Sequence, residues 1–123
     1  MAIELIRDQI EVADRYSGLQ RRVVFDIYGG SRKYQLAMAY RNRTWLGTLS
    51  SGVDVIEDVT MVGSDDLSPA ELMNSWLLEF QRFELASEHS PSTVADLAEV
   101  ARVVDAYGAR AIICLVEVER EAS

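Results

Sequence analysis

The strongest constraint on the fold is a two-residue hydrophobic period that begins near residue 20. Val23, Phe25 and Ile27 alternate with more polar neighbours, and the alternation resumes over residues 34–41. Between the two runs, Gly29-Gly30-Ser31 can adopt the positive φ angles that hairpin turns require. The pattern predicts two antiparallel strands.

Two further turn signals extend this hairpin. Arg41-Asn42-Arg43 leads into a run over residues 44–50, and Ser51-Gly52 leads into another over residues 53–62. We therefore expect a four-strand antiparallel meander.

The segment before the meander predicts an N-terminal helix. When Ile3 to Tyr16 is wound at about 100° per residue, its charged groups fall within one arc and its apolar groups fill the opposite side. Glu11 precedes Arg15 by one helical turn, the favourable order for an ion pair, and Ser17-Gly18 supplies a helix end.

Two helices are expected after the meander. The first opens with the capping box of Ser68-Pro69-Ala70-Glu71, with Leu67 as a hydrophobic staple, and extends to about Ser87. Its predicted buried stripe is Leu72, Met73, Trp76, Leu77, Phe80 and Phe83. The second starts near Ser92 or Thr93 and stops at Gly108, with a predicted buried side of Val94, Leu97, Ala98, Val100, Ala101, Val104 and Tyr107.

A final apolar run, residues 109–116, is interrupted only by Arg110 and predicts a C-terminal strand covered on both faces in the sheet interior. The 123-residue chain is thus expected to be one α+β domain, residues 1–123: an N-terminal helix, a four-strand meander, two helices and a returning strand.

Charge is unevenly distributed along the chain. Residues 1–63 hold eight acidic and eight basic residues, whereas residues 64–123 hold twelve acidic residues against four arginines, which accounts for the net charge of -8. Residues 15–43 carry seven of the basic groups, opposed only by Asp26. Such polarity bears on partners and association rates.

Targeting and redox signals are sparse. Glu4 and Asp8 stand where a signal peptide has basic residues, and no apolar run reaches the about 18 residues of a membrane span. The single cysteine, Cys114, lies in an apolar run and is interpreted as a small core residue. A cytoplasmic protein without membrane association is expected.

Residues for catalysis are few. A Cys-His pair of Cys114 and His89 is weighed against a core cysteine and a loop histidine, and the latter is preferred. Glu57-Asp58 and Asp65-Asp66 are interpreted as strand-surface and helix-start residues. We expect no catalytic residue, metal or cofactor. An enzyme that uses carboxylates in a pocket between sheet and helices remains a third hypothesis.

The basic segment is the basis of a second hypothesis. Arg32, Lys33, Arg41 and Arg43, with nearby tyrosines, could bind nucleic acid or a phosphate ligand. Tyr34 and Tyr40, however, share a strand face with Leu36 and Met38, which predicts that they are core residues.

The leading hypothesis is a small acidic protein-interaction module that binds a basic partner. The candidate classes are inhibitors, immunity proteins, antitoxins, phage counter-defence proteins and secretion chaperones, and composition does not choose among them. Leu78 and Leu85 lie opposite the buried stripe of their helix, where we expect the second helix to cover them in preference to a partner or a second copy in a homodimer. The acidic groups expected on or beside the two helices are Asp65, Asp66, Glu71, Glu79, Glu84, Glu88, Asp96, Glu99 and Asp105.

Overall fold

Five consecutive strands lead the chain and two helices follow. The structure, a computed structural model, describes residues 1–14, 18–30, 32–82 and 89–115. The strands are β1 (Ala2–Asp14), β2 (Gly18–Tyr28), β3 (Tyr34–Arg41), β4 (Thr44–Ser51), β5 (Asp54–Val62) and β6 (Ile112–Cys114), and the helices are α1 (Pro69–Arg82) and α2 (Pro91–Tyr107). The α+β class is confirmed.

The predicted N-terminal helix is wrong, because residues 2–14 form β1, the antiparallel partner of β2. The β1–β2 register shifts between Leu5 and Arg7, so one extra residue enters β1 at this bulge. The core-facing positions therefore pass from odd numbers, Ile3 and Leu5, to even numbers from Asp8 onward. The switch from odd to even positions interrupts the two-residue period, and the resulting spacing of apolar residues resembles that of an amphipathic helix.

The prediction of a four-strand meander is wrong in its number of strands, because β1 adds a fifth antiparallel strand ahead of the four. Strands β1 to β5 are antiparallel neighbours, and the whole sheet has the order β5-β4-β3-β2-β1-β6. The β3–β4 turn places Asn42 at φ 55° and Arg43 at φ 63°, the two positive angles of a type I′ hairpin turn. The β4–β5 turn uses Gly52 at φ 62°.

The C-terminal strand is shorter than expected and lies at an edge. Residues Gly108–Ala111 form a 3-10 turn, and β6 pairs in parallel with β1. Because β1 occupies the place beside β2, β6 can add only outside it. Ile113 is accordingly half-exposed, so the prediction of an interior strand covered on both faces is wrong.

Both helices cover one face of the sheet. The capping box is present in full: the Glu71 backbone N–H donates to Ser68 Oγ at 3.2 Å, and the Ser68 N–H donates to Glu71 Oε1 at 3.3 Å. Helix α2 begins at Pro91 after its cap Ser90 and ends at Gly108, close to the predicted limits. The predicted end of α1 near Ser87 lies outside the described residues.

The core lies between the sheet and the helices. Trp45 and Trp76 are fully buried there, and the Trp76 indole donates to the Gly47 carbonyl at 3.0 Å. Every predicted core residue of α1 that the structure describes is buried, whereas Phe83 lies outside the described residues. On α2, however, Ala98 and Tyr107 are exposed, which corrects their predicted burial.

Candidate functional site

A groove runs between the start of α1 and the end of α2 on the outer side of the molecule. It has a volume of about 410 Å³, with Val104 among its apolar walls and Asn74 among its polar ones. Glu71 and Asp105 line it from opposite helices. The capping box positions Glu71, because its carboxylate is held against the first turn of α1.

The groove is suited to a cation. Two acidic residues line it, and the carbonyl end of α2, which carries the negative pole of its helix dipole, closes one side, while the first turn of α1 brings the positive pole of its own dipole to the other. Asp105 is exposed on the last turn of α2. Because the opposite poles of the two helices offset each other, a lysine or arginine side chain entering here would be attracted mainly by the charges of Glu71 and Asp105.

Leu78 adds an exposed apolar group on the same side of α1. It follows Asn74 by one helical turn, and 56% of its surface is exposed. Helix α2 therefore does not bury it, contrary to the intramolecular alternative of the sequence analysis. Leu85, its predicted companion, lies outside the described residues.

The other predicted acidic residues do not form one cluster. Asp65 and Asp66 lie in the loop before α1, where Asp66 accepts from the Ser64 hydroxyl and the Asp65 carbonyl accepts from Arg21 at 2.9 Å. Glu99 pairs with Arg102 within α2. Glu79 is half-buried on α1, and Glu84 and Glu88 lie outside the described residues.

Asp96 is not a surface residue, which corrects its place among the acidic groups on the helices. It is buried on α2 and accepts a 2.6 Å hydrogen bond from the Tyr34 hydroxyl. Arg32 donates to Thr93 at 2.6 Å in the same cluster, and a Cβ on Gly30 would lie 2.0 Å from the Asp96 carboxylate. The cluster joins the β2–β3 turn to α2, and the sequence contains no signal for it beyond the two glycines.

The four basic residues of the alternative hypothesis do not form one patch. Arg32 and Lys33 precede β3, whereas Arg41 and Arg43 lie at its other end, about 23 Å away for a strand of this length. The prediction that Tyr34 and Tyr40 face the core is confirmed, with Tyr34 buried and Tyr40 half-buried against the core cluster.

Arg32 and Lys33 have intramolecular partners. The hydrogen bond with the Tyr34 hydroxyl raises the pKa of Arg32. A hydrogen bond with Tyr28 and the charge of Asp26, whose carboxylate lies 3.4 Å from the ammonium, raise the pKa of Lys33. These contacts support the hairpin and compete with a phosphate ligand.

His89 and Glu57 form a contact that the sequence analysis missed. His89 Nε2 lies 3.2 Å from Glu57 Oε2, and its ring stacks on Phe80 at 5.6 Å, which in turn stacks on Trp76. Since β5 and β6 are opposite edges of the sheet, His89, beside β5, lies far from Cys114 on β6. The structure does not bring the Cys-His pair together.

Comparisons with known proteins give no assignment. No family model matches the chain, and no significant match is found among curated proteins or solved structures. Within residues 1–14, 18–30, 32–82 and 89–115, no group of three or more metal-ligating side chains occurs. Neither helix, over its described residues, has the length and apolar character of a membrane span.

Proposed function

We propose that this protein is an interaction module that binds a basic protein through the outer side of its helical layer. A lysine or arginine of the partner enters the groove between Glu71 and Asp105, and an apolar side chain packs on Leu78. The observation that carries the proposal is that Glu71 and Asp105, on different helices, line one groove beside an exposed leucine.

The exposed leucine and the two carboxylates have complementary roles in binding. Exposed Leu78 supplies apolar area that gains free energy when water is removed, and the carboxylates orient a cationic side chain. The acidic second half of the chain, which holds all of the net charge of -8, attracts a basic surface from a distance.

The test is affinity capture from the source cell with the wild type and a triple variant, Glu71→Gln, Leu78→Ser and Asp105→Asn. Glutamine at position 71 preserves the capping box, so α1 keeps its start while the groove loses its charge. We expect a basic protein to be retained by the wild type and lost by the triple variant.

A control variant, Glu4→Gln with Asp54→Asn, removes the same number of charges from strands β1 and β5. It should retain the partner. A captured partner that is acidic, or one that the triple variant retains as well as the wild type does, would contradict the proposed function.

A further inference from the structure

The sheet has a second face that no described helix covers. Each residue of a cross-strand row points to the same side, opposite the core. One row across the five antiparallel strands consists of Arg7, Val24, Ala37, Thr48 and Asp58. The next row consists of Gln9, Arg22, Ala39, Leu46 and Thr60. We call this side the open face.

The centre of the open face is apolar, and its side chains project little from the sheet. Ala37 and Ala39 on β3 are small, and Leu46 beside them on β4 is 47% exposed. The surrounding strands add further exposed apolar side chains on the same face, namely Tyr28, Val55, Val62 and Ile113. Small central residues let a second sheet approach to the about 10 Å of face-to-face packing.

The charges of the first row are self-complementary. Arg7 is at the β1 end and Asp58 is at the β5 end, and both are exposed. A two-fold axis parallel to the strands and passing over β3 would stack β1 of one copy on β5 of the other. Arg7 of each copy would then face Asp58 of the other, and Ala37 would face its own equivalent.

The size of the open face agrees with this arrangement. Five strands at about 4.8 Å spacing and about eight residues at 3.3 Å rise make a face of roughly 600 Å², the same order as the about 800 Å² per partner of a stable interface.

We propose that a second copy of this chain covers the open face, so that two sheets pack as a symmetric sandwich with Arg7 and Asp58 paired across it. The helical layers then point outward on both sides. The inference is independent of the proposed function, because it uses the opposite face of the sheet.

The first test measures the oligomeric state by sedimentation velocity across the micromolar range. We expect a dimer for the wild type and a folded monomer for Leu46→Glu, with circular dichroism to confirm folding. Leu78→Glu on the helical layer is the matched control and should remain dimeric. A monomeric wild type, or a dimer that Leu46→Glu preserves and Leu78→Glu dissociates, would overturn the proposal.

The second test uses surface charges whose reversal leaves the core intact. Arg7→Asp and Asp58→Arg should each raise the dimer dissociation constant by at least about tenfold, because each places like charges opposite one another. Mixing the two variants should restore a dimer, since in the mixed pair every contact again joins opposite charges. Intact dimers of either single variant, or a mixture that stays monomeric, would overturn the two-fold arrangement.

Discussion

At the scale of single residues, the β2–β3 turn is constrained by a carboxylate on a distant helix. Asp96 is buried and bonded to Tyr34, and Gly30 packs so closely on it that no side chain fits between them. Gly30 also has φ 67°, a left-handed angle. Both the space and the backbone therefore require glycine.

A pair of glycine substitutions separates these two requirements. Gly30→Ala and Gly52→Ala impose similar backbone strain, at φ 67° and 62°, but only the Cβ on Gly30 meets a neighbour within 4 Å. We expect Gly30→Ala to lower the free energy of unfolding by about 1–3 kcal/mol more than Gly52→Ala does, the usual cost of overpacking. Urea denaturation measures both.

Equal losses from the two substitutions would mean that the turn can move away from Asp96. The contact would then be incidental, and the cluster of Asp96, Tyr34 and Arg32 would not anchor the hairpin to α2.

A substitution of Arg43 is expected to have the opposite effect, a gain in stability. An arginine at φ 63° is strained, because a left-handed angle brings Cβ close to the backbone. Arg43→Gly should therefore raise the free energy of unfolding by about 0.5–1 kcal/mol. Asn42→Gly is the control and should gain less, since asparagine tolerates this region. A lower urea midpoint for Arg43→Gly would show that its side chain makes a stabilising contact.

At the scale of elements, the sequence predicted those whose signals are local. Alternation and turn residues identified β2 to β5, and the capping box identified the start of α1. The bulge after Leu5 gave β1 the hydrophobic pattern of a helix. The inserted residue interrupts the two-residue alternation by which a strand is predicted. The edge position of β6 depends on where β1 lies, and no local pattern in residues 109–116 contains that information.

The start of α1 can be tested directly. Ser68→Ala removes the hydroxyl that accepts from the Glu71 N–H at 3.2 Å, so we expect a loss of about 1 kcal/mol in the free energy of unfolding. Ser68→Asp should retain most of the stability, since a carboxylate also caps. An unchanged urea midpoint in Ser68→Ala would mean that the reciprocal bond from the Ser68 N–H to Glu71 suffices.

At the scale of the whole molecule, the candidate site was only partly predictable. Helical periodicity placed Asp105 among the acidic groups of the helices and Leu78 opposite the buried stripe, but the preferred prediction that α2 covers Leu78 was wrong. The position of these residues relative to Glu71 was not predicted, because it depends on how α1 and α2 cross. Burial of Asp96 likewise results from tertiary contact with Tyr34 rather than from any property of its own helix.

The polarised charge leads to a kinetic prediction for a partner once it is captured. Neutralising Glu99 and Asp105 with Glu99→Gln and Asp105→Asn should lower the association rate about threefold or more at low salt, because charge steering acts on encounter. The salt dependence of that rate should flatten. The dissociation rate should rise as well, because Asp105 contacts the partner's cationic side chain in the proposed complex, whereas Glu99 lies outside the groove and should add little once the complex has docked.

Stopped-flow mixing at two ionic strengths measures these rates, with Glu4→Gln and Asp54→Asn as a control that changes the net charge equally but on strands β1 and β5. If the helical charges steer the partner, the control should lose less of the rate than the helical variant does, since local potential at the docking face matters more than total charge. Equal losses would assign the effect to net charge alone. An unchanged rate and salt slope in the helical variant, together with a decrease on substitution of Arg41 and Arg43, would place the docking face at the β3–β4 turn instead.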